Sequence, residues 1–517
     1  MASAINLLGK RASWSLAERA SGILLHPTSL PCPWGSGDLG PSATAFAQWL
    51  AKAGQRCWQM LPVGPPGYGN SPYSAQSAFA GNPFLISLDS LIADGLLPRR
   101  PRPLRNTGRV EYAAAGKLRE DALRLAFVSF ESAGGRARTQ FEKFCAAQQK
   151  WLDDFALFRA IKHSQGERSW VDWPRELKLR QPRALAQASL ELKDEIAFSK
   201  FEQYLFDSHW RRLRLVCQKL GLALIGDLPL FVAHDSADVW AHRDLFDLDK
   251  QGGLAAVAGV PPDYFSADGQ RWGNPLYRWD RMKRDGYSFW VDRLTLLLER
   301  FDAIRLDHFI GFVRYWEIPV TSPTAREGRF REGPGEDLFA TLRARLGRLP
   351  LIAEDLGLVT PEVTALREKL GLPGLRILQF AFGTDPQAAS FLLHNYTRNT
   401  VAYTGTHDND TTVGWYQERR GATRSLAQTE KERRAAREYL GGDGSEIHWD
   451  LIRGVSSSAA NLAIVPAQDL LGLGSAARMN HPGTAVGNWE WRLLPGQLSP
   501  AIARRLAGLT RLYGRSA

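Results

Sequence analysis

Phe301-Asp-Ala-Ile-Arg-Leu-Asp-His-Phe309 reads as a buried strand whose apolar run ends by pushing out a carboxylate. Ala303, Ile304 and Leu306 suit a parallel strand covered on both faces, while Arg305 and Asp307, two residues apart, point to the same side. A guanidinium beside a carboxylate favours the ionised acid, which is the state a nucleophile needs at neutral pH. The alternative for Asp307 is a strand-end aspartate capping the helix that follows. Two further acids at strand ends, Asp227 and Glu354, favour the chemical reading.

Outward from this stretch the same pattern recurs. Apolar runs bounded by Gly or Pro stand at Gly22-Ile-Leu-Leu-His-Pro27, Cys57-Trp-Gln-Met-Leu-Pro62 and Leu222-Ala-Leu-Ile-Gly-Asp-Leu-Pro-Leu-Phe-Val232 before it. After it come Pro350-Leu-Ile-Ala-Glu-Asp-Leu-Gly357, Ile377-Leu-Gln-Phe-Ala-Phe382, Thr400-Val-Ala-Tyr-Thr-Gly405 and Ala463-Ile-Val-Pro466. Helical spacing separates them, as in 42–53, 286–300, 361–370 and 426–440. Eight such strands predict an α/β fold, a closed (β/α)8 TIM barrel with helical and loop insertions, forming one catalytic unit over residues 1–517. An open doubly wound sheet is the alternative, but the chain offers no Gly-x-Gly-x-x-Gly dinucleotide turn. Residues 88–219 show helical spacing at 116–130, 138–163 and 184–219 with little strand signal, so they are expected to form a largely helical insertion after the second strand. A second insertion, 233–300, follows the third strand and contains an aromatic, Gly-rich loop over 257–280.

Composition narrows the function classes. A chain that is 44% hydrophobic and 23% charged has a large core and a polar surface, and no apolar run reaches membrane-spanning length. The N-terminal twenty residues place an apolar patch before Lys10 and Arg11, the reverse of a secretory signal, so a cytoplasmic protein with no membrane partner is expected. A net charge of +11 raises the question of nucleic acid, but the arginines are dispersed and often alternate with acids, so no nucleic-acid partner is expected. Cys32, Cys57, Cys145 and Cys217 lack metal-ligand spacing, and buried free thiols are expected rather than disulfides or a zinc site.

In a parallel barrel every strand delivers its C-terminal end to one face, so Asp227, Asp307, Glu354 and Asp408, after strands three, four, five and seven, should converge. A nucleophilic carboxylate and a protonated acid about 5–5.5 Å apart are what retaining glycoside chemistry needs. Glu354 follows the apolar Leu351-Ile-Ala, where desolvation should raise its pKa towards that of a general acid; the alternative is a structural ion pair with a neighbouring arginine.

Long motifs then carry a resemblance. Ser21-Gly-Ile-Leu-Leu-His-Pro-Thr-Ser-Leu30, Gly69-Asn-Ser-Pro-Tyr73, Pro261-Pro-Asp-Tyr-Phe-Ser266, Gly269-Gln-Arg-Trp-Gly-Asn-Pro275, Arg305-Leu-Asp-His-Phe309, Ala353-Glu-Asp-Leu-Gly357, Tyr403-Thr-Gly-Thr-His-Asp-Asn-Asp410 and Arg478-Met-Asn-His-Pro-Gly483 stand in this order. Together they closely resemble the 4-α-glucanotransferases called amylomaltases or disproportionating enzymes, relatives of the α-amylase clan. The resemblance implies transfer of an α-1,4-glucan segment to the 4-hydroxyl of glucose or a maltooligosaccharide, with an α-glucan hydrolase as the rival. It implies Asp307 as nucleophile, Glu354 as general acid/base and Asp408 as the carboxylate that binds ring hydroxyls and stabilises the transition state. Arg305, His407 and Asp227 would hold the innermost donor sugar, with Ser71 and Tyr73 beside it, and no metal or organic cofactor is implied. Thr406 stands where the general amylases usually carry Asn, which favours the transferase branch. Cys32 and Trp34 depart from the Gly and Tyr of the pattern, and the resemblance is thinnest between Arg99 and Lys219.

Aromatic faces stack on pyranose rings, and in the 257–280 loop Tyr264, Phe265 and Trp272 sit among Gly and Pro rather than on a helix face. This loop is expected to form the acceptor side, with Gln270 and Asn274 as hydroxyl partners; the alternative is a surface loop whose aromatics merely bury themselves.

Overall fold

A computed structural model describes residues 14–262, 266, 268–418 and 425–516. Eight parallel strands close a barrel: β1 Ala20–Leu24, β2 Cys57–Gln59, β3 Ala223–Leu228, β4 Ala303–Leu306, β5 Leu351–Ala353, β6 Gly374–Ile377, β7 Thr400–Tyr403 and β8 Leu462–Pro466. Each pairs with its neighbours in chain order, and β8 returns to β1 from Ala20 opposite Leu462 to Leu24 opposite Pro466. Apart from Arg376 on β6, every residue of these strands is buried, which is why they read as near-continuous apolar runs. At Gly226 on β3 the barrel and its surround come so close that a Cβ would lie 2.5 Å from the Phe301 ring, so only glycine fits.

The sixth strand differs from expectation. The apolar run at 377–382 reads as the strand, but β6 is the preceding Gly374-Leu-Arg-Ile377, and Leu378–Phe382 forms a 3-10 helix. Burial of Leu378, Gln379, Ala381 and Phe382 explains the apolar signal without a ladder, and the amide of Gln379 reaches the Asp410 carbonyl at 3.0 Å.

Between β2 and β3 run helices Leu88–Ala93, Tyr112–Ala133, Gly135–Ser164, Arg175–Lys178, Pro182–Glu191 and Lys193–Lys219. The helical pattern over 184–219 breaks at Leu192 into the last two of these. The last one lies against the barrel: Trp210 Nε1 and Arg214 Nη1 donate to the Arg300 carbonyl at 3.2 and 2.6 Å, and Arg214 Nη2 meets Asp302 at 2.9 Å. A second sheet corrects the reading of 257–280 as loop alone. Strands Ala256–Val260 and Gln270–Arg271 join Arg314–Pro319 and Arg329–Glu332 in a four-stranded antiparallel sheet built from the segments after β3 and β4.

The opposite end of the barrel is fastened by Arg515. Its buried guanidinium donates from Nε to Ser456 O at 2.7 Å, from Nη1 to Ala20 O at 2.9 Å and Asn461 O at 3.1 Å, and from Nη2 to Ala460 O at 2.8 Å. One side chain therefore ties the end of the C-terminal helix Pro500–Leu512 to the starts of β1 and β8. Arg515→Met leaves several buried carbonyls without a donor. It is expected to lower the unfolding free energy by about 3 kcal/mol, read as a fall in the urea midpoint at constant slope.

Candidate active site

Register builds the site. On β3 and β4, Asp227 lies opposite Arg305, and Asp307 follows two residues later on the same side of the chain. Leu306 pairs with Ala353, so Glu354 leaves β5 level with Asp307. Arg305 consequently faces three acids. Its Nη1 reaches Asp227 at 2.8 and 2.7 Å and Asp307 Oδ1 at 3.0 Å, and its Nη2 reaches Glu354 Oε2 at 3.1 Å. Backbone bonds hold the strand ends together: the Asp307 amide donates to Leu228 O at 3.0 Å and the Glu354 amide to Leu306 O at 3.1 Å. His308 takes a left-handed conformation, φ 50°, uncommon away from glycine although histidine tolerates it better than most side chains. The result is that its amide N–H points at Glu354 Oε2, 2.5 Å away.

Three carboxylates around one guanidinium cannot all carry charge cheaply. Burial pushes Glu354 up to about 8, with the nearby Asp307 adding to the rise and Arg305 and the His308 amide opposing it. Glu354 therefore holds its proton at neutral pH. Burial also raises Asp227 against the pull of Arg305, and the Tyr73 hydroxyl donates to Asp227 Oδ2 at 2.8 Å. Burial works against the charge on Arg305, but Asp227, Glu354 and Asp307 outweigh it and hold the guanidinium firmly protonated.

The loop after β7 adds a fourth acid in a different state. Asp408 Oδ1 accepts from Asn480 Nδ2 at 2.6 Å, and its Oδ2 lies 3.3 Å from His407 Nε2. Burial acts to raise its pKa, but His407 and Asn480 overcome it and hold the carboxyl well below the usual range. Arg478 fixes the backbone, donating to the Asp408 carbonyl at 2.6 Å and to Asn480 O at 2.7 Å. The His407 ring stacks on Tyr73, centroids 5.1 Å apart and planes 16° from parallel, and Trp489 stands against both. A protonated acid and a second carboxylate share one cation, with an ionised acid and an aromatic wall beside them. Such a site can protonate a leaving oxygen, attack a carbon and stabilise a cationic transition state.

The family described as 4-alpha-glucanotransferase matches residues 25–497 of the chain. The chain belongs to the 4-alpha-glucanotransferase family. It is 49% identical over 506 residues to the 4-alpha-glucanotransferase of Thermus thermophilus, covering 96% of this chain and 99% of that one. The 4-alpha-glucanotransferase of a Synechocystis strain is 48% identical over 509 residues, with 97% and 99% covered. Among solved structures, the amylomaltase from Streptococcus agalactiae in complex with acarbose superposes with a TM-score of 0.92 at 36% identity, over 97% of this chain and all of that one.

Against the sequence expectations for this 4-alpha-glucanotransferase family member, the structure brings Asp227, Arg305, Asp307, Glu354 and Tyr73 into direct contact and joins His407 and Asp408 to them through the Tyr73 ring. Ser71 caps the short turn that presents Tyr73, its hydroxyl accepting from the Tyr73 amide at 3.2 Å. Trp272 is 37% exposed and meets the His308 ring edge-on at 4.9 Å, so it overhangs the residue that follows Asp307. Gln270 Oε1 accepts from Trp272 Nε1 at 3.1 Å, and Asn274 Nδ2 donates to Val232 O at 2.8 Å, anchoring the segment to the chain leaving β3. Tyr264 and Phe265 lie outside the described residues. Sequence reasoning assigned nothing to Asn480, Arg478, Trp489 or the His308 backbone. The motif Arg478-Met-Asn480 was the available signal for two of them; for Trp489, brought in by a loop at the far end of the chain, there was none.

Among the described residues no helix is long and apolar enough to cross a membrane, and no group of three or more His, Cys, Asp or Glu is arranged to hold a metal.

Proposed function

We propose that this chain transfers a segment of an α-1,4-glucan to the 4-hydroxyl of glucose or a maltooligosaccharide by a retaining double displacement. The observation that carries the reading is the joint grip of Arg305 on Asp307 and on a Glu354 that burial keeps protonated. Glu354 gives its proton to the glycosidic oxygen while Asp307 attacks the anomeric carbon, so that the C–O bond to the leaving glucan breaks as the ester forms. In the second half Glu354, now ionised, takes the proton of the acceptor hydroxyl, whose oxygen displaces Asp307. The charge of Asp408, beside His407 and Asn480, stabilises the oxocarbenium-like transition states through the ring hydroxyls. Names of the relatives and the acarbose bound to the S. agalactiae amylomaltase support an α-glucan substrate.

The polypeptide acts, on this reading, as one barrel over 1–517 with insertions at 88–219 and 233–300, in the cytoplasm. Maltotriose incubated with the pure protein tests the function: glucose together with a ladder of longer oligosaccharides is expected, and glucose with maltose alone would assign a hydrolase.

Transfer over hydrolysis is assigned to the overhang of Trp272, with Tyr264 and Phe265 of the same segment as its expected partners. An acceptor oriented before water arrives gains several kcal/mol, with an upper limit of about 7–11 kcal/mol. Trp272→Ala is expected to raise the acceptor Michaelis constant by about tenfold, one lost stacking contact, and to raise the share of hydrolysis. Reducing ends released against glucose released from maltotriose read this directly, and an unchanged ratio would move the acceptor surface elsewhere.

A further inference from the structure

Asp469, on the short helix Ala467–Leu470 that follows β8, is an acid the reaction scheme leaves unused. It is 1% exposed, yet among the described residues the groups that meet its carboxylate are neutral donors rather than cations. Its Oδ2 accepts the Thr404 hydroxyl at 2.5 Å and its Oδ1 accepts the Thr412 amide at 2.6 Å. Thr404 is the first residue after β7 and Thr412 the first of helix Thr412–Gln417, so these are the two feet of the loop that carries His407 and Asp408. Both threonines are fully buried. A cavity lined by His26, Leu61, His407, Asn409 and Asp469 adjoins the loop, leaving it room to shift if only van der Waals contacts held it.

A buried carboxylate without a counter-cation is unfavourable, so its presence calls for a compensating role. Two donors converge on it from opposite feet of one loop. A carboxylate accepts from both at once; an amide in its place keeps one acceptor for the Thr412 N–H and meets the Thr404 hydroxyl only if that hydroxyl turns to accept, a neutral bond in place of two charge-assisted ones. We propose that Asp469 is a positioning residue of the transfer reaction, clamping both feet of the loop so that the Asp408 carboxylate stands where the transition state needs it. Burial raises its pKa to about 6, which leaves it mostly ionised, and acceptor-only, at neutral pH. The proposal rests on the reading of Asp408 given above.

The test is a double-mutant cycle of Asp469→Asn with Asp408→Asn, followed by fluoride release from α-maltosyl fluoride and by disproportionation of maltotriose. Asp469→Asn alone is expected to lower kcat by about 30-fold, the scale of a displacement of under 1 Å, with KM changed by less than about threefold. In the Asp408→Asn background it is expected to change nothing further, because the group it positions is gone. Thr404→Val removes one of the two donors without altering volume much. It is expected to follow the same pattern with a smaller loss, and it carries the test should Asp469→Asn not fold. A kcat within twofold of the parent for both single variants, or losses that multiply in the double variant as a general loosening of the fold would give, overturns the proposal. An Asp408→Asn protein with undiminished kcat overturns it from the other side, by removing the reading it rests on.

Discussion

Asp307→Asn is expected to lower maltotriose disproportionation on the order of 10⁴-fold or more, the scale on which removing a covalent nucleophile acts, while maltooligosaccharide binding and the thermal midpoint stay close to those of the parent. The substitution changes little volume and leaves Asp227 and Glu354 on Arg305, so the guanidinium is not left unpaired. Isothermal titration on the inactive variant separates binding from chemistry. Activity above a trace in protein freed of parental enzyme would mean that another acid attacks.

Glu354→Gln is expected to lose about 10³-fold with natural glucans, within the range of a general acid, and to keep most of its rate of ester formation from α-maltosyl fluoride, whose leaving group departs without a proton. The pH dependence gives an independent check on the same residue. Glu354 titrates at about 8, above the ordinary carboxyl range, so the acid form needed for leaving-group protonation is present at neutral pH and is lost as pH rises through that value. The kcat/KM of the parent on maltooligosaccharides should accordingly fall on the alkaline side with a midpoint near 8. Fluoride release by Glu354→Gln should show no such limb. An alkaline limb that survives the substitution would assign the titration to another group.

The barrel was legible because its strands are buried on both faces, and burial writes itself into local sequence as apolar runs such as Ala303–Leu306 and Leu462–Pro466. Where the apolar signal and the ladder part company the reading slipped. β6 contains Gly374 and Arg376, so its hydrophobicity is diluted, whereas the following 3-10 helix is more apolar than the strand itself. The sheet formed with Arg314–Pro319 was not seen at all: its outer strand Arg329–Glu332 is exposed at every residue, so no alternation marks it, and its pairing is fixed by partners far away in the chain. The acids at strand ends could be found from sequence because parallel strands bring all such positions to one rim. Which of them bond to Arg305 follows from strand register, which a sequence does not print. Asn480 is 72 residues from the Asp408 it holds, and histidine, although it enters the left-handed region more readily than most side chains, does so too rarely for residue type to announce the turn at His308 that aims an N–H at Glu354.

Trapping the glycosyl ester tests the assignment of the nucleophile most directly. Glu354→Gln protein quenched in acid during turnover of α-maltosyl fluoride should carry one maltosyl unit, because ester formation is spared and the base that would activate the acceptor is missing. Peptide mass spectrometry is expected to place that unit on Asp307. A sugar found on Asp408 or Asp227, or no adduct on a protein that is releasing fluoride, would contradict the assignment.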